Sequence, residues 1–190
     1  MNNHSISAKI AVLLTIFKVM QLERTLIVFK PDAVSRGVVG EILARFEKVG
    51  LKIIGSKMLK PDYDHFFHHY ENIGKVISRR GQKVFDITLE MMTAGPVIAF
   101  VLEGIEAAAL VRKMVGATEP KSALPGTIRG DYSHISYGYA DQNEVGIPNL
   151  IHASGDAEEA KQEIAHWFSE NELFDYETVH EKFTQVKKRN

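Results

Sequence analysis

The alternation of short apolar runs with helix-like patterns is the feature that most limits how this chain can fold. Residues 25–29 form an apolar, β-branched run that Pro31 ends, because proline cannot continue a strand ladder. Residues 38–49 repeat apolar side chains at helical spacing, and residues 51–59 are typical of a second strand. The near-continuous apolar run 97–102 indicates a central strand.

Further patterns complete the predicted order of elements. Asp62 is a predicted helix cap, and the polar tail 169–190 is predicted to be solvated. Glycines and polar residues predict a surface loop at 71–83 and a long functional loop over 116–148. The remaining predicted elements are helices at about 61–70, 85–92, 105–115 and 157–168, and a short strand at 150–151 that leads to His152.

This order of strands and helices predicts an α+β fold. Four antiparallel strands with helices packed on one face, a ferredoxin-like sandwich, fit the order βαβ, helices, β, α, long loop, β, α. A length of 190 residues fits a single domain. We place that domain at residues 23–176, followed by a polar C-terminal tail at 177–190.

Charge and composition restrict the classes of partner. The net charge is -1, from 23 Lys and Arg against 24 Asp and Glu, which argues against nucleic acid or an acidic membrane as partner. An anionic ligand would therefore need basic side chains concentrated at one place. Cysteine is absent, which excludes disulfides, thiolate zinc sites and cysteine nucleophiles.

Residues 1–22 precede the predicted domain and carry an apolar run at 10–17. This run is too short to span a bilayer as a helix. It fits a short amphipathic extension, a start assigned too early with Met20 as the true start, or a secretory signal. No small-x-small cleavage site follows the run, so the first two explanations are favoured and a cytoplasmic protein is expected.

Phosphate-binding loops are absent from the sequence. It contains neither G-x-x-x-x-G-K-[ST] nor a G-x-G-x-x-G at a strand-to-helix turn. A nucleotide would have to be held by side chains, and Lys30, Arg112 and Arg129 stand near the ends of predicted elements. Arginine offers a planar fork to phosphate oxygens and lysine a point charge, although a single such residue is usually a solvated surface charge.

His152 differs from the other seven histidines in its position. It ends a short apolar strand and precedes the small residues Ala153 and Ser154, which leave room for a substrate. Glu163 on the following helix could orient the imidazole and raise its basicity. These residues alone leave open a hydrogen-bonded structural histidine. His65 and His69, four residues apart on a helix, give only a weak indication of zinc.

Several widely spaced motifs resemble the nucleoside diphosphate kinase family. The resemblance covers about four-fifths of the chain, from Glu23 to about Tyr176. It rests on Glu23-Arg24-Thr25-Leu26 with Lys30-Pro31-Asp32, Gly95-Pro96-Val97, Gly116-Ala117-Thr118-Glu119-Pro120, Pro125-Gly126-Thr127-Ile128-Arg129-Gly130-Asp131, and Asn149 three residues before His152.

The resemblance implies a two-step transfer of phosphate from ATP or another nucleoside triphosphate to a nucleoside diphosphate. It makes His152 the nucleophile, oriented by Glu163 with Ser154 nearby, and Tyr70 a phenol close to the reacting phosphate. It implies Mg²⁺ bound mainly through nucleotide phosphates rather than protein ligands, and a homo-oligomer, a tetramer or hexamer. The residues implied to hold the nucleotide are Lys30, Arg112, Thr118, Arg129 and, for the sugar, Asn149.

The sequence departs from the family pattern at three places. His152 is followed by Ala-Ser-Gly instead of Gly-Ser-Asp, which delays the acidic residue to Asp156. Insertions are predicted around 72–83 and 132–147. The position of the base-stacking aromatic residue falls on Val84, with Phe85 beside it, or a side chain of one of the insertions, as weaker candidates. An inactive nucleotide- or nucleic-acid-binding module and a purely structural protein are the competing hypotheses.

Overall fold

A single antiparallel sheet organises the part of the chain that the computed structural model describes, residues 22–184. Within that range, four strands lie in the order β2-β3-β1-β4, which confirms the predicted ferredoxin-like sheet. The strands are β1 (Leu22–Phe29), β2 (Lys52–Leu59), β3 (Val97–Ile105) and β4 (Ile151–Ala153). Apart from Leu22, the predicted N-terminal extension lies outside the described residues.

Helices connect the strands and provide most of the packing. Asp62 accepts a 2.9 Å hydrogen bond from the backbone N–H of His65, so its predicted role as a cap is confirmed. The helices are α1 (Pro31–Ser35), α2 (Val39–Lys48), α3 (Tyr63–Phe67), which continues into a π-helical turn (His68–Ile73), α4 (Val76–Arg80), α5 (Gln82–Thr93), α6 (Ala107–Val115), α7 (Ile128–Tyr132), α8 (Tyr137–Asn143), α9 (Ala157–Trp167) and α10 (Glu181–Thr184).

Both faces of the sheet are covered, so the prediction of helices on one face only is wrong. Ile27 and Phe29 of β1 belong to an apolar core shared with α2 and α6. Leu26 and Val28 belong to a second core, shared with α3, α5 and α9. Successive side chains of a strand point to opposite faces, and in β1 both sets are apolar. Burying both sets requires a layer of helices on each side.

The segment predicted as a surface loop at 71–83 is largely helical. The π-helical turn ends at Ile73, α4 follows, and α5 already begins at Gln82. Gly81 separates α4 from α5 with a φ of +89°, a backbone conformation that glycine adopts at little cost. The polar composition that suggested a loop belongs to helices with exposed outer faces.

The predicted long loop over 116–148 also contains helical turns. Thr127 caps α7 and Ser136 caps α8, each by accepting a backbone N–H with its side-chain oxygen. Both helices have seven residues or fewer, too few for apolar periodicity to reveal them. No helix among residues 22–184 is long and apolar enough to cross a membrane.

The described part of the C-terminal tail is mostly exposed, as predicted, but it also makes contacts with β2 that the sequence did not predict. The Phe174 N–H donates to the Ile54 carbonyl at 2.8 Å. The Lys52 ammonium donates to the Tyr176 carbonyl at 2.8 Å and lies 3.2 Å from the Glu181 carboxylate. Side-chain and backbone contacts therefore fasten the tail along an outer strand of the sheet.

Candidate active site

A cleft of about 650 Å³ opens beside β4, within the usual range for small-ligand pockets. Its walls come from the ends of β1 and β4, the π-helical turn, α4, α5, α8 and the loops around α7. Of the residues predicted for the site, the cleft brings together Lys30, Tyr70, Val84, Arg112, Thr118, Arg129, Asn149, His152 and Glu163.

His152 and Glu163 form the centre of the cleft floor. The imidazole Nε2 of His152, on β4, lies 2.8 Å from Oε1 of Glu163, on α9. The Glu163 side chain is fully buried, whereas that of His152 is 17% exposed. Because Nε2 faces the carboxylate, Nδ1 is the ring nitrogen available to a ligand. A carboxylate on one nitrogen fixes the tautomer and makes the other nitrogen more basic.

Ser154 holds the second oxygen of the Glu163 carboxylate. Its buried hydroxyl donates to Glu163 Oε2 at 2.6 Å and accepts the Leu26 backbone N–H at 3.1 Å. The serine therefore connects the carboxylate to β1 at the point where β4 has ended. This placement agrees with the supporting position predicted for Ser154.

His69 lies behind the pair of His152 and Glu163. Its Nδ1 accepts a 3.2 Å hydrogen bond from the Trp167 indole N–H, and its ring centroid lies 4.5 Å from that of His152. Burial, followed by the neighbouring His152, lowers the pKa of His69 well below its usual value. A neutral His69 adds no positive charge that would compete for Glu163, so the carboxylate pairs with His152.

Arg129 is a buried guanidinium that organises the wall of the cleft. It donates to three backbone carbonyls: Asn149 at 3.2 Å, Gly116 at 3.1 Å and Ile151 at 2.6 Å. Burial, and then the charge of Arg112, lower its pKa to about 10, so it remains cationic at neutral pH. Arg129 therefore ties the loop around Gly116 to the strand that carries the histidine.

Two more cations stand at the same wall. Lys30 is 8% exposed, and burial followed by the charge of Arg129 lowers its pKa to about 8. Arg112, on α6, reaches the Ala153 carbonyl at 3.5 Å. Positive charges held this close together repel one another, and an anion placed between them relieves the repulsion. Lys30, Arg112 and Arg129 therefore converge on one cleft, a convergence that the sequence could not show.

Apart from His152 Nε2 and Glu163 Oε1, which face each other, two buried polar atoms in the cleft wall have no hydrogen-bond partner among the described residues. They are the Tyr70 hydroxyl and Oδ1 of Asn149. Burial, and then the charge of Glu163, raise the pKa of Tyr70, so the phenol keeps its proton. Buried polar groups are normally hydrogen-bonded, so these two atoms are suited to a polar ligand. The amide nitrogen of Asn149 is already used, since it donates to the Thr118 carbonyl at 2.9 Å.

The proposed base-stacking role of Phe85 is wrong. Its side chain is fully buried and packs edge-to-face on Phe67, with ring centroids 5.5 Å apart. Val84 does line the cleft, but an aliphatic side chain has no π-face. Helical geometry explains the difference, because neighbouring residues of α5 cannot face the cleft together.

Glu159 is a site residue that the sequence reasoning missed. It lines the cleft, and its Oε2 lies 2.8 Å from the position that a Cβ on Gly155 would occupy. The predicted substitute, Asp156, instead caps α9 by accepting the N–H groups of Glu158 and Glu159, both at 2.9 Å. The sequence contains a signal for this position of Glu159, because Glu159 follows Gly155, which has no side chain, by one helical turn.

Three possible metal ligands lie close together at the centre of the site. One atom each from His69, His152 and Glu163 falls within 4.8 Å of the others. Trp167 already donates to the His69 nitrogen that faces Glu163, and Ser154 takes the other carboxylate oxygen. Hydrogen bonds therefore engage His69 Nδ1 and Glu163 Oε2, and the two remaining atoms, His152 Nε2 and Glu163 Oε1, face each other at 2.8 Å.

The sheet, the converging cations and the carboxylate-held imidazole define a nucleotide phosphotransferase. Residues 23–173 match the family model described as nucleoside diphosphate kinase. The chain belongs to the nucleoside diphosphate kinase family.

Relatives of similar length support this assignment. The nucleoside diphosphate kinase of Borreliella burgdorferi is 43% identical over 83% of this chain and 93% of its own length. That of Pyrococcus furiosus is 44% identical over 89% of this chain and 97% of its own.

Solved structures agree with the fold. A transition-state mimic of the Borrelia burgdorferi enzyme with bound vanadate and ADP has a TM-score of 0.84 and 41% identity, and covers 87% of this chain and 98% of that chain. An NDP kinase from Pyrobaculum aerophilum has a TM-score of 0.73 and 37% identity, with 82% and 100% coverage.

Proposed function

We propose that this protein moves the γ-phosphoryl group of ATP or another nucleoside triphosphate to a nucleoside diphosphate through a phosphohistidine at His152. The observation that carries the proposal is the 2.8 Å contact between His152 Nε2 and Glu163, which leaves Nδ1 free on a cleft lined by Lys30 and Arg129. A nucleophilic imidazole needs a lone pair on one nitrogen and a proton acceptor at the other, and the contact provides both.

In the first step, the Nδ1 lone pair forms a bond to the γ-phosphorus. The bond from that phosphorus to the β–γ bridging oxygen breaks, and the nucleoside diphosphate leaves with the bonding electrons. In the second step, a terminal oxygen of another nucleoside diphosphate attacks the phosphorus and the N–P bond breaks. Throughout, Glu163 stabilises the positive charge on the ring while the proton stays at Nε2.

The basic side chains of the cleft would provide most of the remaining stabilisation of the transition state. Phosphoryl transfer spreads charge over the equatorial oxygens, and positioned donors stabilise that charge. Lys30, Arg112 and Arg129 would contact phosphate oxygens, with the Thr118 side chain beside them. The unpartnered Tyr70 hydroxyl would donate to a phosphate, and Oδ1 of Asn149 would accept from a sugar hydroxyl.

A divalent cation fits this arrangement as part of the nucleotide. Besides Glu163, two carboxylates line the cleft, those of Asp141 and Glu159, and the described residues contain no cage of acidic ligands there. Mg²⁺ commonly keeps its waters and binds through substrate phosphates and one or two carboxylates. When bound, it would neutralise phosphate charge, with Glu159 placed to reach its water shell.

The proposed setting is the synthesis of nucleoside and deoxynucleoside triphosphates in the cytoplasm. A homo-oligomer, a tetramer or hexamer, is the proposed form, because the resemblance to the family extends to the loop between Pro120 and Pro125. Light scattering coupled to size exclusion gives the subunit number directly. A monomer at micromolar concentration would contradict this part of the proposal.

Labelling with [γ-³²P]ATP, followed by GDP, tests the reaction. We expect acid-labile, alkali-stable label on the protein first, and then on GTP. His152→Ala should abolish both signals, while His134→Ala, which removes an exposed histidine outside the cleft, should leave both intact. Label transfer in the absence of His152, or a wild-type protein that binds nucleotides without becoming labelled, would overturn the proposal.

A further inference from the structure

Part of the cleft lining comes from the two segments interpreted from the sequence as insertions. The Arg80 guanidinium, at the end of α4, lies 5.2 Å from the centre of the Tyr137 ring, at the start of α8. Lys83 and Glu144 make an ion pair of 2.5 Å between the same two segments. The two segments therefore contact each other beside the cleft that also contains His152.

Two phenol rings belong to the described lining of the cleft, those of Tyr70 and Tyr137. Tyr70 lies at the reacting end, with its ring centroid 6.4 Å from that of His152. Tyr137 is partly exposed and lines the cleft beside Arg80. With Phe85 buried and Val84 aliphatic, Tyr137 is the second phenol ring in this lining, besides Tyr70.

Backbone contacts hold Tyr137 in place relative to the phosphate-binding loop. Its N–H donates to Oε1 of Glu119 at 2.8 Å, and Glu119 directly follows Thr118. The Ser136 side chain caps α8 by accepting the Tyr139 N–H at 3.2 Å. The backbone of Tyr137 is therefore attached to the same loop that carries Thr118, a predicted phosphate contact.

We propose that Tyr137 and Arg80 together form the stacking surface for the nucleobase. This inference rests on the proposed function, since it assumes that the cleft takes a nucleotide with its phosphates at Lys30 and Arg129. Phenol rings and guanidinium planes both stack on bases. Such a surface holds any base by its π-face, so it supports binding without selecting one base.

The comparison of ADP with pyrophosphate separates contacts to the base from contacts to the phosphates. Tyr137→Leu should weaken ADP binding in calorimetry roughly tenfold, within the range expected for loss of a stacking partner. It should leave pyrophosphate binding unchanged. Tyr137→Phe keeps the ring and should bind ADP like the wild type. Tyr139→Leu is the matched control, because Tyr139 lies on the same helix, 60% exposed and outside the cleft lining.

Arg80 provides a second, independent readout. Arg80→Ala should weaken ADP binding several-fold, again without an effect on pyrophosphate, whereas a simple loss of positive charge would weaken both ligands. Raising the salt concentration separates the two cases further, because stacking is insensitive to screening.

Tyr137→Trp places a fluorescent ring at the same position and keeps the test valid if Tyr137→Leu fails to fold. ADP should quench its emission and pyrophosphate should not, measured against the background of Trp167. Unchanged ADP affinity in Tyr137→Leu, or the absence of quenching, would overturn the stacking surface. Wild-type label transfer would still support the proposed function, so the two failures are distinguishable.

Discussion

Glu163 shows how one buried carboxylate can determine the chemistry of a neighbouring ring. One of its oxygens contacts His152 and the other accepts from Ser154, so both oxygens are engaged in a fully buried position. Ionised carboxylates are rarely buried unless they are paired in this way. The residue is therefore placed for orientation of the imidazole rather than for contact with substrate.

Glu163→Gln should slow formation of the phosphohistidine by about 10²- to 10⁴-fold, because an amide is a weaker acceptor and cannot stabilise the charged ring. Nucleotide affinity should change little, since Glu163 does not reach the phosphates. Rapid-quench measurement of labelled protein gives the rate. Glu158→Gln, an exposed change on the same helix, serves as control. Equal rates in the two variants would remove Glu163 from its proposed role.

The affinity for ADP should depend on the ionisation of Lys30. Burial lowers its pKa to about 8, so its charge in the free protein is present below that pH and is lost as pH rises through it. We therefore expect ADP binding to weaken between about pH 7 and 9, measured by calorimetry. Lys30→Arg, which keeps its charge over this range, should give a flatter profile. An equal dependence of ADP affinity on pH in the wild type and in Lys30→Arg would contradict the role assigned to Lys30.

At the level of secondary structure, α9 depends on its N-cap. Asp156 accepts two backbone N–H groups there, and replacement of such a cap by alanine costs about 1 kcal/mol of stability. Asp156→Ala should therefore lower the free energy of unfolding in urea by that amount. Labelling of His152 should persist, because Ser154 holds Glu163 independently. Complete loss of labelling in a folded variant would show that the cap also positions the carboxylate.

The strands and long helices could be predicted from sequence because each carries a repeated apolar pattern. The run at 97–102 and the periodicity of 38–49 correspond to β3 and α2. The short elements α4, α7 and α8 could not, since their ends are set by caps and by turns such as that at Gly81. A helix of five residues has too little pattern to separate it from a loop.

Individual site residues could be predicted from the sequence only where they belong to a motif. The convergence of Lys30, Arg112 and Arg129 arises from long-range packing that no local pattern encodes. Glu159 differs, because it follows Gly155 by one helical turn and its place at the site could have been predicted from that local spacing. The unpartnered Tyr70 hydroxyl likewise becomes visible only once burial is known.

At the scale of the whole molecule, a buried ionic network attaches the tail to the sheet. The Lys52 ammonium lies 3.0 Å from Glu103 on β3, and both side chains are 7% exposed. The same ammonium reaches Glu181 in the tail and the Tyr176 carbonyl. Two strands and the tail therefore share one cation.

Lys52→Met should lower the free energy of unfolding by about 2 kcal/mol, because loss of one partner leaves a buried carboxylate less compensated. The effect is less than that for an isolated buried pair, since Glu103 keeps its 2.9 Å contact with Arg24. Urea denaturation measures this change in the free energy of unfolding. Lys57→Met, which breaks the more exposed pair with Glu172, should cost less. The reverse order of stabilities would contradict this account of the tail.

The Ser154 hydroxyl couples local opening of the sheet edge to the positioning of the reacting imidazole. Because it accepts the Leu26 amide while donating to Glu163, the fluctuation that exposes this amide to solvent also releases the carboxylate. Native-state hydrogen exchange at Leu26 therefore reports how often the nucleophile loses its support. A substitution anywhere in β1 that accelerates this exchange lowers the fraction of time for which Glu163 supports His152, even when the average structure is unchanged.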